Sequence, residues 1–221
     1  MGRRYPQYAG MTFEKLKEAA YVVPPRTYYN YKTQGFHTPS GKFEFASSRI
    51  AAAGGDPLPW WKEDRETPYS RPDLAEKYPL VLTTGSRRMP YFISNNRQIR
   101  SLRRQWPFPR VTMNPDTAAK YGIADGDWVW IENERGRITQ KAKLMPELDP
   151  RVINCEMGWW YPEAGAQDYD WALSNVNVLT IGEPPGDPFS GAYPLRGLLC
   201  RIYKNENCGI EERYRKWIDE A

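Results

Sequence analysis

From Tyr78 onward, short apolar runs alternate with turns rich in glycine and aspartate. Leu80 to Thr83, Arg110 to Met113, Trp128 to Glu132, Arg137 to Leu144 and Val152 to Met157 each predict a strand. Between the first two strands lies an arginine-rich stretch. Between the second and third, the segment Asn114 to Gly122 predicts a short helix with its ends written out. Asn114 caps it, Pro115 occupies the first helical position, Asp116 faces the positive end of the dipole, and Gly122 closes it. Tight turns are expected at Ala124–Asp127 and Asn133–Gly136. Many short strands, glycine turns and one small helix predict a mainly β protein built on a closed barrel.

The first third of the chain reads differently. Residues 11–21 predict a short helix with Phe13, Leu16 and Ala20 on one side, ended by Pro24-Pro25. Gly35 to Phe45 predicts a turn feeding an alternating strand, and Ser47 to Ala53 a helical turn. From Gly54 to Arg71 prolines and charges dominate around Trp60-Trp61. This stretch is expected to be a linker packed on a surface, because adjacent tryptophans suit contact better than solvent. Residues 1–70 are therefore expected to form an extension and linker, the tail of a preceding domain, and residues 71–221 the barrel domain.

Composition narrows the chemistry. The 221 residues carry a net charge of +4 and are 40% hydrophobic. No run approaches the ~18 apolar residues of a membrane span, and Met1 to Pro6 lacks the apolar core of a secretory signal. His37 is the only histidine, and the three cysteines, Cys155, Cys200 and Cys208, form no Cys-x-x-Cys pair. A zinc, haem or iron–sulfur site within the chain is not expected. Cys155 and Cys200 sit in apolar strand contexts and are expected in the core, whereas Cys208 lies in a polar stretch. The acidic turn at Asp125-Gly126-Asp127 reads as structural, not metal-binding.

Candidate binding chemistry starts at the end of the first strand. Thr84, Gly85, Ser86, Arg87 and Arg88 offer hydroxyls, guanidinium forks and a backbone that a glycine lets approach closely. That suits a phosphate or pyrophosphate; the rival reading is an ordinary turn with surface arginines. Arg87, Arg88, Arg97, Arg100, Arg103, Arg104 and Arg110 concentrate basic charge locally, either for planar recognition of phosphate or as a solvated face. Nucleic-acid binding ranks last because the overall charge is nearly balanced.

The order of short motifs resembles the C-terminal, dinucleotide-binding domain of the molybdopterin oxidoreductases, the dimethyl sulfoxide reductase superfamily. The motifs are Tyr78 to Gly85, Met113 to Ala119, Gly122 to Val129, Arg135 to Ile138 with Lys141-Ala142, Gly158 to Glu163, Ser174 to Thr180, and Pro194 to Cys200. With Gly35 to Phe45, the resemblance spans about residues 33–203. Gly158-Trp159-Trp160 and Asn175-Val176-Asn177 look closest to the branch of thiosulfate and polysulfide reductases and acetylene hydratase.

The resemblance implies a six-stranded double-psi β-barrel with short helices and an irregular N-terminal extension. It implies binding of bis-molybdopterin guanine dinucleotide as the last part of a molybdenum or tungsten oxidoreductase of anaerobic type, without catalysis by the chain alone. Metal ligation and any iron–sulfur cluster would belong to other parts of the polypeptide. Partners would be the rest of the catalytic subunit and an iron–sulfur electron-transfer subunit, with no nucleic acid and no direct membrane span. The compartment would be prokaryotic cytoplasm or periplasm, set by an N-terminal part not in this sequence.

The same resemblance places Thr84 to Arg88, with Asn95 and Asn96, against the cofactor. Gly158 and Trp159 would come near the pterin, by close approach and a flat indole face, or else serve as core. Asn175 and Asn177, read as alternate positions of an extended segment, would project both amides to one side, or bond their own backbone. Arg196 would approach as a basic residue. The alternative function is a double-psi barrel that binds peptide or protein without cofactor.

Overall fold

The computed structural model describes residues 8–220 except 22, 24, 25, 87, 88 and 166. It divides into two compact units, residues 1–60 and 61–221. Each is described by itself.

The described residues of the first unit hold short helices α1 (Phe13–Ala19), α2 (Tyr31–Gln34) and α3 (Ser48–Ala52), and none of these described residues is buried. Thr12 and Ser47 cap α1 and α3 through their side chains. The expected strand over Gly35 to Phe45 is absent. The Thr38 hydroxyl donates to the Lys42 carbonyl (2.6 Å), and Glu44 accepts from Ser40 Oγ (2.7 Å) and Ser48 Oγ (2.8 Å). These local bonds hold a compact bend where a strand would need a partner. Rings of Tyr31, Phe36, Phe43 and Phe45 follow one another at centroid distances of 5.6, 5.7 and 5.0 Å.

The two units divide after Trp60. Residues 61–70 belong with the barrel because Glu66 is buried there: its carboxylate accepts both Arg135 Nη atoms (2.7 and 2.8 Å) and the Leu199 backbone N–H (3.1 Å). Trp60 and Trp61 are both exposed.

The second unit is a closed six-stranded barrel. Its strands are β1 (Leu80–Ser86), β2 (Arg110–Met113), β3 (Trp128–Asn133), β4 (Gly136–Leu144), β5 (Val152–Glu156) and β6 (Arg196–Lys204), in the order β1-β5-β2-β4-β3-β6 and closed by β6 against β1. The pairs β1–β5 and β2–β4 are parallel and the others antiparallel. The carboxyl ends of β1, β3 and β5, the β3–β4 turn and the start of β6 therefore share one end of the barrel.

Inside, Leu82, Val111, Met113, Val129, Ile131, Ile138, Ile153 and Leu198 alternate inward from all six strands, with Ile202 on β6. Cys155 and Cys200 are buried in this core and Cys208 is partly exposed, as their contexts suggested. Helices α4 (Pro72–Lys77), α5 (Arg100–Gln105), α6 (Pro115–Lys120) and α7 (Ile210–Asp219) decorate the barrel. Asn114 caps α6 by accepting from the Asp116 N–H (2.8 Å), and Gly122 has φ +64°. Asp125 and Asp127 accept backbone N–H groups of Leu144 (2.8 Å) and Ala124 (2.9 Å), which is the structural role expected of that turn.

Candidate cofactor-binding site

Strand β1 runs through Thr84, Gly85 and Ser86, past its expected end at Thr83. Its register slips there: Thr83 faces Asn154 and Arg196, Ser86 faces Glu156, and neither Thr84 nor Gly85 has a ladder partner among the described residues. Gly85 sits at φ +96°, a conformation other residues adopt only under strain. The result is a bulge at the mouth of the barrel, the kind of distortion that re-aims a strand end beside a binding site. The Thr84 hydroxyl donates to the Leu195 carbonyl (2.6 Å), joining the bulge to the start of β6.

Beyond this bond two groups lack protein partners. Ser86 Oγ is buried without a hydrogen-bond partner. The exposed Arg196 has no acidic partner among the described residues, and its guanidinium lies 3.6 Å from where a Gly85 Cβ would stand. A glycine bulge with a guanidinium beside it, followed at the next residue by a buried orphan hydroxyl, forms a donor set for an anionic, oxygen-rich group. The residues present therefore fit a phosphate-bearing cofactor. Arg87 and Arg88 lie outside the described residues.

The parallel neighbour β5 ends at Glu156 and leads to Gly158. Gly158 has φ +69°, and a Cβ there would meet Ser94 N at 3.1 Å and Ile93 C at 3.2 Å. The 93–94 backbone alone therefore already requires glycine at this position. Asn95 and Asn96 stand on that same segment; Asn95 N–H donates to the Phe92 carbonyl (2.9 Å), and Asn96 has φ +71°. Trp160 Nε1 donates to the Ser94 carbonyl (2.7 Å), so the two loops are sewn together.

Trp159 does not offer an indole face. It is wholly buried, with Arg97 and Arg103 guanidinium carbons 4.5 and 5.2 Å from its ring centre and Tyr91 and Tyr161 packed edge-on. Any contribution it makes to a ligand runs through its backbone. The expected extended geometry at Asn175 and Asn177 is also absent. Val176–Leu179 forms a 3₁₀ turn with Asn175 as its cap, the Asn175 amide oxygen accepting from the Asn177 N–H (3.1 Å). Its amide nitrogen donates to the Trp159 carbonyl (3.1 Å), while Asn177 is exposed. The two amides thus divide between bracing the Gly158 turn and facing solvent.

The arginine cluster splits in the same way. Arg97 and Arg103 are buried against Glu156 and Glu163, Arg110 lies 3.9 Å above the Trp106 ring, and Arg100 lies 4.7 Å above Trp217. It is neither a phosphate patch nor a solvated face as a whole. Burial draws the Arg97 pKa down to about 10 despite the Glu156 charge. Burial likewise raises the Glu163 carboxyl above its usual range, against the opposing pull of Arg103.

Gln140, unremarked in the sequence, proves central. Buried on β4, it donates to the Glu156 and Ser174 carbonyls (both 2.9 Å) and accepts from the Glu156 N–H (3.1 Å), fixing the 156 and 174 backbones together. A polar residue at an inward position of an alternating strand was the available sign. A cavity of about 780 Å³ lies beside the β3–β4 turn, lined by Arg65, Arg71, Glu134, Arg135 and Thr180 to Pro184. Its arginines are engaged: Arg65 by the Glu183 carbonyl, Arg71 by Asp73, and Arg135 by Glu66. Among the described residues no group of three or more His, Cys, Asp or Glu side chains is placed to hold a metal ion.

Residues 80–199 match the model of the molydopterin dinucleotide binding domain, and the chain belongs to that family. It is similar to dopamine dehydroxylase from Eggerthella lenta, 42% identical over 173 residues that make up 77% of this chain and 17% of that one. It is 33% identical to acetylene hydratase from Syntrophotalea acetylenica, over 88% of this chain and 28% of the relative. It is 32% identical to dimethyl sulfoxide reductase DmsA from Escherichia coli, over 76% and 21%. The solved structure of acetylene hydratase from Pelobacter acetylenicus superposes with a TM-score of 0.72 at 32% identity, covering 89% of this chain and 28% of that one. The chain thus spans little more than a quarter of these relatives at most. It is a molybdopterin dinucleotide-binding domain with the double-psi barrel of the dimethyl sulfoxide reductase superfamily, a kind of domain that forms part of larger catalytic subunits. No helix of the described residues is long and apolar enough to cross a membrane.

Proposed function

We propose that the barrel end formed by the Thr84–Ser86 bulge, Arg196, the Gly158 turn and Asn175 holds the phosphate and guanosine arms of a bis-molybdopterin guanine dinucleotide. The observation that carries this reading is the bulge itself, where Ser86 Oγ is buried and unpartnered and the preceding Gly85 stands against the Arg196 guanidinium. When bound, the cofactor would supply redox or hydration chemistry at a molybdenum or tungsten ion whose protein ligands lie elsewhere in the polypeptide. This chain's residues would bind and orient the dinucleotide. Arg196 and the Ser86 hydroxyl would meet pyrophosphate oxygens, with Arg87 and Arg88 adding charge. Asn95, Asn96 and Asn177 would offer amides to the polar edges. An iron–sulfur centre in the remaining polypeptide, and an iron–sulfur electron-transfer subunit beyond it, complete the proposed assembly.

Ser86→Ala separates binding from folding, because the hydroxyl makes no bond within the protein. The purified protein should keep its melting temperature while its affinity for guanylated pterin falls about 10- to 100-fold, on the scale of one charge-assisted hydrogen bond of about 1.5–3 kcal/mol. Arg196→Gln should do the same. Unchanged pterin content in both variants rules the site out.

A further inference from the structure

The loop after β5 is gripped at both ends by buried charge. Glu156 stands just before it and Glu163 just after its turn, and each faces a buried arginine of the segment that covers the loop. Arg97 Nη2 lies 3.7 Å from Glu156 Oε1, with both side chains about 98–99% enclosed, and Arg103 Nη2 donates to Glu163 Oε1 with both side chains equally enclosed. Arg97 further donates to the carbonyls of Ile93 and Met157 (3.3 Å to the latter). Glu156 Oε2 accepts from Trp106 Nε1 (2.9 Å) and the Arg110 N–H (3.1 Å). Both guanidinium groups also pack on Trp159, in the middle of the loop.

Four buried charges are an expensive way to hold a barrel loop, since well-packed apolar residues often stabilise a fold as well or better. What apolar contacts lack is direction. The Arg103 hydrogen bond to Glu163 on one side of Gly158, and on the other the Arg97 hydrogen bonds to the Ile93 and Met157 carbonyls with Glu156 as its ion-pair partner, are directional and fix both the position and the tilt of the turn.

We propose that Arg97–Glu156 and Arg103–Glu163 are positioning pairs that hold the Gly158–Trp159 backbone preset at the barrel mouth for the dinucleotide. This rests on the binding reading above. None of the four side chains touches the ligand; they act through the loop, as outer residues act on the groups that do the binding.

The test uses the purified cofactor-loaded protein and its stripped form. The paired replacement R103M/E163L removes both charges of one pair and keeps apolar volume. Its melting temperature should stay within a few degrees of the parent. Amide exchange at 157–161 in the stripped form should accelerate about tenfold, and pterin retention should fall about tenfold, the scale on which supporting residues affect affinity. Unchanged exchange overturns the proposal, as does faster exchange with unchanged retention. Should the paired variant not fold, R97K keeps the charge and loses the fork, and the same loosening without loss of melting temperature is required of it. If the parent protein itself carries no dinucleotide, the binding reading fails, while amide exchange still decides whether the pairs hold the turn.

Discussion

Arg103→Ala is expected to cost about 3–5 kcal/mol of stability, the range for removing one partner of a buried ion pair. The guanidinium is wholly enclosed and is the cation on Glu163, whose second oxygen is already buried without a hydrogen-bond partner. Without Arg103 the carboxylate loses the charge that offsets its burial, and Trp159, Tyr161 and Trp217 lose a cation packed at 5.2, 5.9 and 6.0 Å. For a domain of this size the melting temperature should fall by roughly 6–20 °C, at about 2–4 °C per kcal/mol. Calorimetry on the purified protein checks this, and a loss below about 1 kcal/mol contradicts the burial described. The contrast with the paired R103M/E163L replacement is the informative part. Removing one charge strands the other, and removing both does not.

Gly158→Val is expected to cost about 2–4 kcal/mol and to abolish cofactor retention. Two causes add. A β-branched residue at φ +69° is strained by roughly 1–2 kcal/mol. Its Cβ would also press on Ser94 N at 3.1 Å and Ile93 C at 3.2 Å, backbone atoms that cannot swing aside as a side chain can. The loops at 93–94 and 158 would have to part, carrying the Trp160–Ser94 bond with them. Gly165 is the control: it has nearly the same φ, +66°, but open space where a Cβ would go. Gly165→Ala should cost only about 1 kcal/mol and leave pterin content unchanged. Denaturant unfolding of the two variants, with pterin analysis, measures both effects. Equal losses at the two glycines would show that crowding against Ile93–Ser94 plays no part.

Much of the barrel was legible because its information is local. Alternating apolar positions marked five strands, and Asn114, Pro115 and Gly122 marked α6 at both ends. The site was legible only in part, because the deciding interactions are remote in sequence. Arg103 meets Glu163 sixty residues away, and nothing near either residue distinguishes a buried arginine from a solvated one. Trp159 looked like a possible stacking face because a sequence does not say which rings surround it. Asn175 and Asn177 alternate as strand residues would, but a cap bond to the Asn177 N–H competes successfully with an extended chain that has no partner to pair with. Helix α7 could have been found: Ile210, Tyr214 and Ile218 recur every fourth residue and all are buried. The first unit misled for a related reason, since Gly35 to Phe45 alternates like a strand but, among the described residues, no neighbouring strand of that unit is there to receive it.

The most direct test of the account is hydrogen–deuterium exchange on the purified protein, comparing the cofactor-loaded form with the stripped one. The predicted result is protection by the cofactor in four separate segments: 83–86, 156–159, 174–177 and 195–197. These come together only at one end of the barrel, so protection of all four marks that end as the dinucleotide site. Absence of protection in these segments, with the cofactor demonstrably bound, would contradict it.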